Sequence, residues 1–522
     1  MPVTKRKQRK YHVHIRYLYS DYKPVIQTNQ LFKSFVINMK QTLALLFIIL
    51  FLGSCSKEKK ADKIVTENLL PGTTDWLINV KYDTCSAPNH RYCRRPQVEG
   101  YCSKTSVSSG DSLNLYVSTN PASQFTIDIY RMGYYGGKGG NLKRHIGPLQ
   151  GKEQSEPNPD PKTNFFECNW DTSYQLVIPQ DWVSGVYLCK LTTQPGNYQS
   201  YITFIVKDDR KVDFLFQCSD LTWQAYNRWP YWHSMYDEGH KPWVNTNGAK
   251  VSFDRPYAIY VNELPSTFNG LSNGSGEFLL WEYPLSYWME KEGYDVSYIS
   301  NIDTHSDSTE LLRAKGFLSV GHDEYWTYNM FNNVKKARDK GVNLLFLSGN
   351  SVDGTEYLEP SIDNRPNRTT GRMPEREFNN EQELMGNSSY GVGFGSFICQ
   401  QPDHWIYANT GMKKGDSIPN LVGWEYHGRP TGHQKDLVVL AETKVDPLSF
   451  GAANPENHVS TIYTTPKGNF VFNAGTCFWV QPLAKTPAYQ HPMKLKDTVD
   501  FSQGDIRVQQ ITKNLLNKIV SQ

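Results

Sequence analysis

The chain has 522 residues, and 55 basic against 52 acidic side chains leave a formal net charge of +3. So small a charge gives no indication of a polyanionic partner, and we expect no binding to nucleic acid. The length allows two or three domains. Aromatic residues make up 13% of the chain, which is typical of clefts lined with rings or of a large sandwich core.

The N-terminal part of the chain has the pattern of an export signal. Lys40 precedes an apolar run, Leu43–Leu52, that is well short of the ~20 residues needed to span a membrane. The tetrapeptide Leu52–Cys55 resembles a lipobox, the sequence that bacterial lipoprotein processing cuts before its cysteine. We therefore expect residues 1–55 to be a leader and signal. Lipid on Cys55 would then anchor the protein to a membrane of the cell envelope, either in the periplasm or exposed at the surface.

The other eight cysteines are spaced irregularly and include no CxxC pair, which disfavours a zinc cluster. In an oxidising compartment we expect disulfides among them, and their pairing stays open along with the number of buried free thiols. These cysteines are Cys85, Cys93, Cys102, Cys168, Cys189, Cys218, Cys399 and Cys477.

Residues 56–75 form a polar linker, and residues 76–208 have the pattern of an all-β domain. Short alternating runs such as SLNLYVST, FTIDIYRMG and GVYLCKLTT are separated by turn-forming segments such as PNPDP and QPGN. Several short strands at this spacing predict a small immunoglobulin-like β-sandwich.

Residues 209–522 have a different pattern. The runs VDFLFQCS, YDVSYI, GFLSVG and VNLLFLSG are continuously apolar, as in strands buried on both faces, and helical patterns lie between them. One helix has Thr327 as its N-cap, an apolar face that includes Met330 and Val334, and Gly341 just beyond its end. The alternation predicts an α/β fold, a three-layer structure around a mostly parallel sheet.

Two polar segments follow apolar strands of this predicted sheet. LTWQAYN comes after VDFLFQCS, and His322, Asp323 and Glu324 come after GFLSV. Ligands of parallel sheets bind beyond the carboxyl ends of the strands, and a histidine beside carboxylates suits metal binding or proton transfer. One of the two carboxylates could instead stabilise the start of the helix that follows.

Together with this pattern, the motifs TWQAYN, VSFDRPY, GYDVSYI, GHDEYW and GVNLLFLSGN resemble the catalytic domain of the large subunit of N,N-dimethylformamidase. The resemblance covers about residues 209–485. It implies a fold like that of the class I glutamine amidotransferases and hydrolysis of a small amide. It also implies a mononuclear iron, as Fe³⁺, held by two tyrosinates and one glutamate, which are the hard oxygen ligands such a cation prefers.

The resemblance also assigns residues. Glu324 matches the glutamate ligand, Tyr226 and Tyr257 match the tyrosines, and His322 matches a histidine that handles protons beside the metal. Three nearby tyrosines remain alternatives to the two matched ones: Tyr231, Tyr236 and Tyr260.

Two asparagines lie near the assigned residues, and the nucleophilic cysteine of the amidotransferases is not evident in the sequence. Asn227 and Asn350 could donate hydrogen bonds near the metal or serve only as turn residues. The segment VNLLFLSGN has Gly349 and Asn350 where the amidotransferase nucleophile would stand, so thiol catalysis is disfavoured.

Two other functions compete with a metal-dependent amide hydrolase. One is a lipid-anchored protein that binds carbohydrate or peptide at the cell surface and has an inactive catalytic domain. The other is a glycosidase that uses Asp323 and Glu324, which is disfavoured because adjacent residues after a strand point apart. The substrate, the oligomeric state and any small partner subunit stay open.

We predict that Cys55→Ser abolishes membrane association of the full-length product, because no lipid can then be attached. Fractionation of cells that express each variant measures this, with Cys399→Ser as the control that should stay with the membrane. Tight membrane association of Cys55→Ser would refute the lipobox interpretation.

Overall fold

The computed structural model of the protein describes most of the chain from Lys63 onward. The predicted signal with Cys55 lies outside the described residues, as do Tyr231 and Tyr260. In the part that is described, no helix combines the length and the apolar character needed to cross a membrane. The described residues are 63–79, 96–163, 165–230, 233–237, 249–258, 273–378, 380–432, 436–447, 457–487, 489, 491–492 and 501–522.

The first eight strands form two sheets with a common core. They are β1 (Glu99–Cys102), β2 (Ser106–Ser108), β3 (Ser112–Ser118), β4 (Gln124–Met132), β5 (Gly140–Gln150), β6 (Tyr174–Val177), β7 (Gly185–Gln194) and β8 (Gln199–Lys207). One sheet has the order β1-β3-β6 and the other the order β2-β8-β7-β4-β5. Leu113, Leu115 and Val117 alternate along β3 and share a buried cluster with Ile127 and Cys189 of the second sheet.

The remaining strands build a seven-stranded sheet and two smaller ones. They are β9 (Val212–Cys218), β10 (Lys250–Ser252), β11 (Val296–Ser300), β12 (Ala314–Gly321), β13 (Tyr325–Thr327), β14 (Asn343–Ser348), β15 (Gly354–Glu359), β16 (Thr369–Glu377), β17 (Ser388–Ile398), β18 (Ser417–Val422), β19 (Glu425–Gly428), β20 (Val438–Lys444), β21 (Asp446–Pro447), β22 (Asn457–Thr464) and β23 (Phe470–Asn473). The large sheet has the order β11-β9-β12-β14-β23-β22-β20. Its first five strands pair in parallel, and β22 and β20 are antiparallel.

The prediction of a three-layer, glutamine amidotransferase-like α/β fold is wrong. The described chain is mainly β, in five mixed or antiparallel sheets, and only about 20% of it is helical. Strand–helix alternation is confined to the part between β9 and β14. After β14, the strands β15 and β16 join the earlier β10 and β13 in the sheet β10-β16-β15-β13. A second small sheet follows, in which β17 pairs with β18, β19 and β21.

The helices are short except for the last one. They are α1 (Lys63–Glu67), α2 (Asp220–Tyr226), α3 (Tyr283–Glu292), α4 (Asn301–Ser306), α5 (Tyr328–Asp339), α6 (Glu381–Met385) and α7 (Ile506–Val520). A π-helical turn, Phe278–Glu282, leads into α3. The Thr327 side chain accepts a hydrogen bond from the Met330 amide and so caps α5, as predicted.

The eight-stranded part and the rest of the chain share buried surface. Tyr130 and Leu188 belong to the same hydrophobic cluster as Phe214 and Phe216 of β9. The chain passes from one to the other between Lys207 and Val212, close to the predicted boundary at residue 208. The division into separate domains stays a prediction.

Several cysteines lie in these cores as thiols. Cys102, Cys189, Cys218, Cys399 and Cys477 are buried and free in the structure. The prediction of disulfides is therefore wrong for these five residues, which pack as small apolar side chains. Cys85 and Cys93 lie outside the described residues.

A buried ion pair joins β4 to α3. The Arg131 guanidinium donates to both carboxylate oxygens of Glu290, at 2.8 and 3.0 Å, and both side chains are inaccessible to solvent. Arg131 also donates to the Ser184 carbonyl, so the guanidinium is held on several sides.

We predict that Glu290→Ala lowers the free energy of unfolding by about 3–5 kcal/mol, because it removes the carboxylate that pairs with the buried Arg131 charge. The control is Asp171→Ala, which breaks an exposed pair with Lys152 and should change stability by at most about 1 kcal/mol. Urea denaturation of both variants measures the difference. Equal effects would show that the buried pair does not stabilise the junction.

Candidate functional site

The ends of two neighbouring strands place the main polar residues. β9 and β12 run in parallel; β9 leads into α2, which carries Tyr226, and β12 leads into His322 and Glu324. Gly321 makes the turn with φ +67°, and a Cβ atom there would lie 2.5 Å from the Trp281 carbonyl oxygen. Only glycine fits this turn, which directs the chain from the sheet into the site.

Two tyrosine hydroxyls and one carboxylate meet at this edge. The Tyr226 hydroxyl donates to Glu324 Oε2 at 2.5 Å, and the Tyr236 hydroxyl donates to Glu324 Oε1 at 3.3 Å. The two hydroxyl oxygens are 3.2 Å apart, and the rings stack with centroids 4.9 Å apart. Burial and the nearby Glu324 raise the pKa of Tyr226 well above its ordinary value. Four oxygen atoms therefore lie within reach of one another.

Tyr257 does not join this group. Its ring packs edge-on against Trp223 at 6.2 Å, and its hydroxyl lies beside the Gln224 side chain, in a pocket on another face of α2. The second tyrosine beside Tyr226 is Tyr236, one of the alternatives that the sequence leaves open.

His322 lies among three glutamates. Its Nε2 atom is 2.7 Å from Glu425 Oε2 and 3.3 Å from Glu324 Oε2, and its Nδ1 atom is 4.0 Å from Glu277 Oε2. Burial alone would lower the pKa of His322, but Glu425 and Glu324 outweigh it and hold that pKa well above its ordinary value. Burial raises the pKa of Glu277 to about 8, although His322 opposes the shift.

Cys477 approaches the same histidine from β23. One ligand atom each of His322, Glu425 and Cys477 lies within 4.8 Å of the others, close enough to hold one metal ion. The Cys477 thiol donates to the Gly349 carbonyl at 3.4 Å, and burial raises its pKa to about 12. Without a metal this cysteine is a neutral thiol rather than a nucleophilic thiolate.

Asp323 faces away from this group. Its carboxylate accepts hydrogen bonds from Gln217, Ser319 and Asn301 at 2.7, 2.8 and 3.2 Å. It shares no described hydrogen-bond partner with Glu324, so the two adjacent carboxylates do not form a glycosidase pair.

The two asparagines differ in position. Asn227 donates to Gln224 and to the Pro256 carbonyl, as an ordinary turn residue. Asn350 has φ +49° and hydrogen-bonds to the carboxylate of Glu425, so it belongs to the site.

Several buried polar atoms at the site lack a hydrogen-bond partner of good geometry. They include both carboxylate oxygens of Glu277, both ring nitrogens of His322, Glu425 Oε2, Asn350 Oδ1 and the Tyr325 hydroxyl. Buried polar atoms are normally satisfied, and a concentration of exceptions is expected where an ion or a polar substrate binds.

Residues 126–491 match the family model described as N,N-dimethylformamidase beta subunit-like, C-terminal. The chain belongs to this family. A search among curated proteins found no match. As a member of the dimethylformamidase-like family, the chain is a hydrolase of amide bonds, which are carbon–nitrogen bonds. The matched residues include all of those at the site.

For this dimethylformamidase-like protein, four site residues are left unassigned by the sequence. Tyr236 was only an alternative, and Glu277, Glu425 and Cys477 were not singled out. A signal existed for Cys477, because AGTC follows the apolar strand FVFN just as GHDE follows GFLSV. Glu425 opens a short antiparallel strand, and no local pattern marks such a position as part of a site.

Proposed function

We propose that the protein hydrolyses a small amide with the help of an iron ion, Fe³⁺, held by Tyr226, Tyr236 and Glu324. The observation that carries the proposal is the convergence of two phenol oxygens and a carboxylate, 2.5–3.3 Å apart, beside a buried histidine.

The donor atoms fit such a cation. Phenolate and carboxylate are hard oxygen ligands, and three protein ligands leave positions open for substrate and water. When bound, the ion would polarise the amide carbonyl and lower the pKa of water and of the two phenols. Arg372 adds positive charge, because its guanidinium lies over the rings of Tyr236 and Tyr325, 5.1 and 5.5 Å from the centroids. That charge partly balances the negative charge of Glu324.

The protein's own residues handle the proton. His322 is held in its charged form by Glu425 and Glu324, so it can donate a proton to the departing amine nitrogen. Glu425, 2.7 Å from His322 Nε2, stabilises the imidazolium and orients the ring. Glu277, whose pKa is raised by burial to about 8, lies 4.0 Å from His322 Nδ1, beyond the distance of a direct hydrogen bond.

Aromatic rings shield the reacting groups from water. Tyr226 and Trp281 lie 5.4 and 5.7 Å from the His322 ring, and Phe478 stacks behind Trp281 at 6.3 Å. Exclusion of water strengthens the electrostatic interactions on which the proton transfer depends.

A second group of residues that could bind a metal ion lies beside the first. His322, Glu425 and Cys477 offer nitrogen, oxygen and sulfur, a mixture that suits zinc better than ferric iron. We assign these residues to proton transfer because the family hydrolyses amides and the oxygen-only set suits the harder ion.

We also propose that the protein is exported and anchored by lipid on Cys55 to a membrane of the cell envelope. The support is the short apolar run followed by a lipobox-like tetrapeptide. The amide substrate would then be one that is present outside the cytoplasm.

We predict that Glu324→Gln loses both bound iron and amide hydrolysis, because it removes the only carboxylate of the oxygen set. His322→Gln should keep the iron and lower kcat by about 10²–10⁴-fold, since only the proton donor is removed. Elemental analysis and amine release from a panel of small N-alkyl amides measure the two effects.

The controls separate the two ligand sets. Cys477→Ser and the remote Cys399→Ser should both retain the iron of the unaltered protein. Full iron content in Glu324→Gln, together with loss of metal in Cys477→Ser, would contradict the assignment. A protein that binds no metal and hydrolyses no amide would favour a lipid-anchored binding protein instead.

A further inference from the structure

A second pocket lies on the other face of α2. Asp220, Trp223 and Gln224, at helical spacing of three and four residues, line it, whereas Tyr226 faces the catalytic site. β1, β8 and the segment that contains Tyr257 supply the other walls. The enclosed space is small, so it admits only a small ligand.

Asp220 is an unusual residue in this position. Its side chain is 1% exposed, Oδ1 accepts a hydrogen bond from the Asn301 amide at 2.6 Å, and Oδ2 has no hydrogen-bond partner of good geometry. Burial raises its pKa to about 7, although the Asn301 amide and the Thr105 side chain oppose the shift. No arginine or lysine forms a salt bridge with it among the described residues. Fully buried aspartates are rare unless they are paired.

The two arginine side chains that line the pocket, by contrast, already donate hydrogen bonds to other groups of the protein. Arg368 donates to the Asp254 carboxylate and to the Cys102 carbonyl. Arg255 donates to backbone carbonyls, including those of Trp229 and His233. Asp220 Oδ2 is therefore open as an acceptor, whereas the donors of Arg255 and Arg368 are occupied. The pocket thus favours a ligand that donates a hydrogen bond and disfavours an anion.

The walls near Asp220 are aromatic and aliphatic. Trp223 and Tyr257 meet edge to face, and Phe253, Phe204 and Ile202 complete the lining. Aromatic faces attract cations, and apolar side chains accommodate an alkyl group. A carboxylate among rings is thus suited to an ammonium group with an apolar substituent.

We propose that this pocket binds a small alkylammonium ion whose N–H group donates to Asp220 Oδ2 while its alkyl group packs against Trp223 and Tyr257. The proposal does not rest on the metal site or on amide hydrolysis. The pocket is a separate ligand site, divided from the catalytic residues by α2.

Calorimetry with the purified protein tests this at mildly alkaline pH, where the Asp220 carboxyl is ionised. The probes are n-butylammonium chloride, tetramethylammonium chloride and n-butanol. n-Butylammonium should bind clearly better than tetramethylammonium, which has no N–H group. It should also bind clearly better than n-butanol, which has no charge. Absence of n-butylammonium binding, or equal binding of all three probes, overturns the proposal.

Two variants sharpen the test. Asp220→Asn keeps the shape and an acceptor for the Asn301 amide, and should weaken n-butylammonium binding about tenfold or more. Glu324→Gln, at the catalytic site, should leave this binding unchanged, so failure of the metal site and failure of the pocket give different results. Unaltered binding in a folded Asp220→Asn variant refutes the proposal. If that variant does not fold, the comparison of the three probes decides the question.

Discussion

The site is governed by an excess of buried negative charge around one histidine. Glu277, Glu324 and Glu425 are almost fully buried, and His322 supplies one positive charge among them. Three carboxylates cannot all be ionised in so dry a place beside one imidazolium, and burial accordingly raises the pKa values of Glu277 and Glu425. Protons, Arg372 or a bound cation must balance the rest. The cation binding and the proton chemistry proposed here are two ways of supplying that balance.

The part of the site that was predicted from strand ends, and assigned residue by residue through the family resemblance, is the part that local structure determines. Tyr226, His322 and Glu324 each follow an apolar strand, and parallel strands bring their carboxyl ends to one edge of a sheet. Tyr236 and Glu425 reach the same place through long-range packing, which leaves no periodic signal. The resemblance favours Tyr257 over Tyr236, and the sequence does not tell which of the two tyrosines meets the face of α2 that carries Tyr226.

The fold class failed for a related reason. Continuous apolar runs did predict strands such as β12 and β14, which pair in parallel. The chain from β15 to β22 has no such runs to mark its order. It supplies one further small sheet, half the strands of another and the antiparallel strands of the large one. Disulfides were expected because an oxidising compartment was expected. Five of the cysteines are instead free thiols that are buried in apolar cores.

The most direct test of the cation site is the visible absorption of the iron-loaded protein and of its tyrosine variants. Tyrosinate bound to ferric iron gives a charge-transfer band whose strength reports the number of tyrosinate ligands. The account predicts that Tyr226→Phe and Tyr236→Phe each weaken this band, whereas Tyr257→Phe leaves it unchanged. A band that Tyr257→Phe weakens and Tyr236→Phe leaves intact would contradict the ligand set described here.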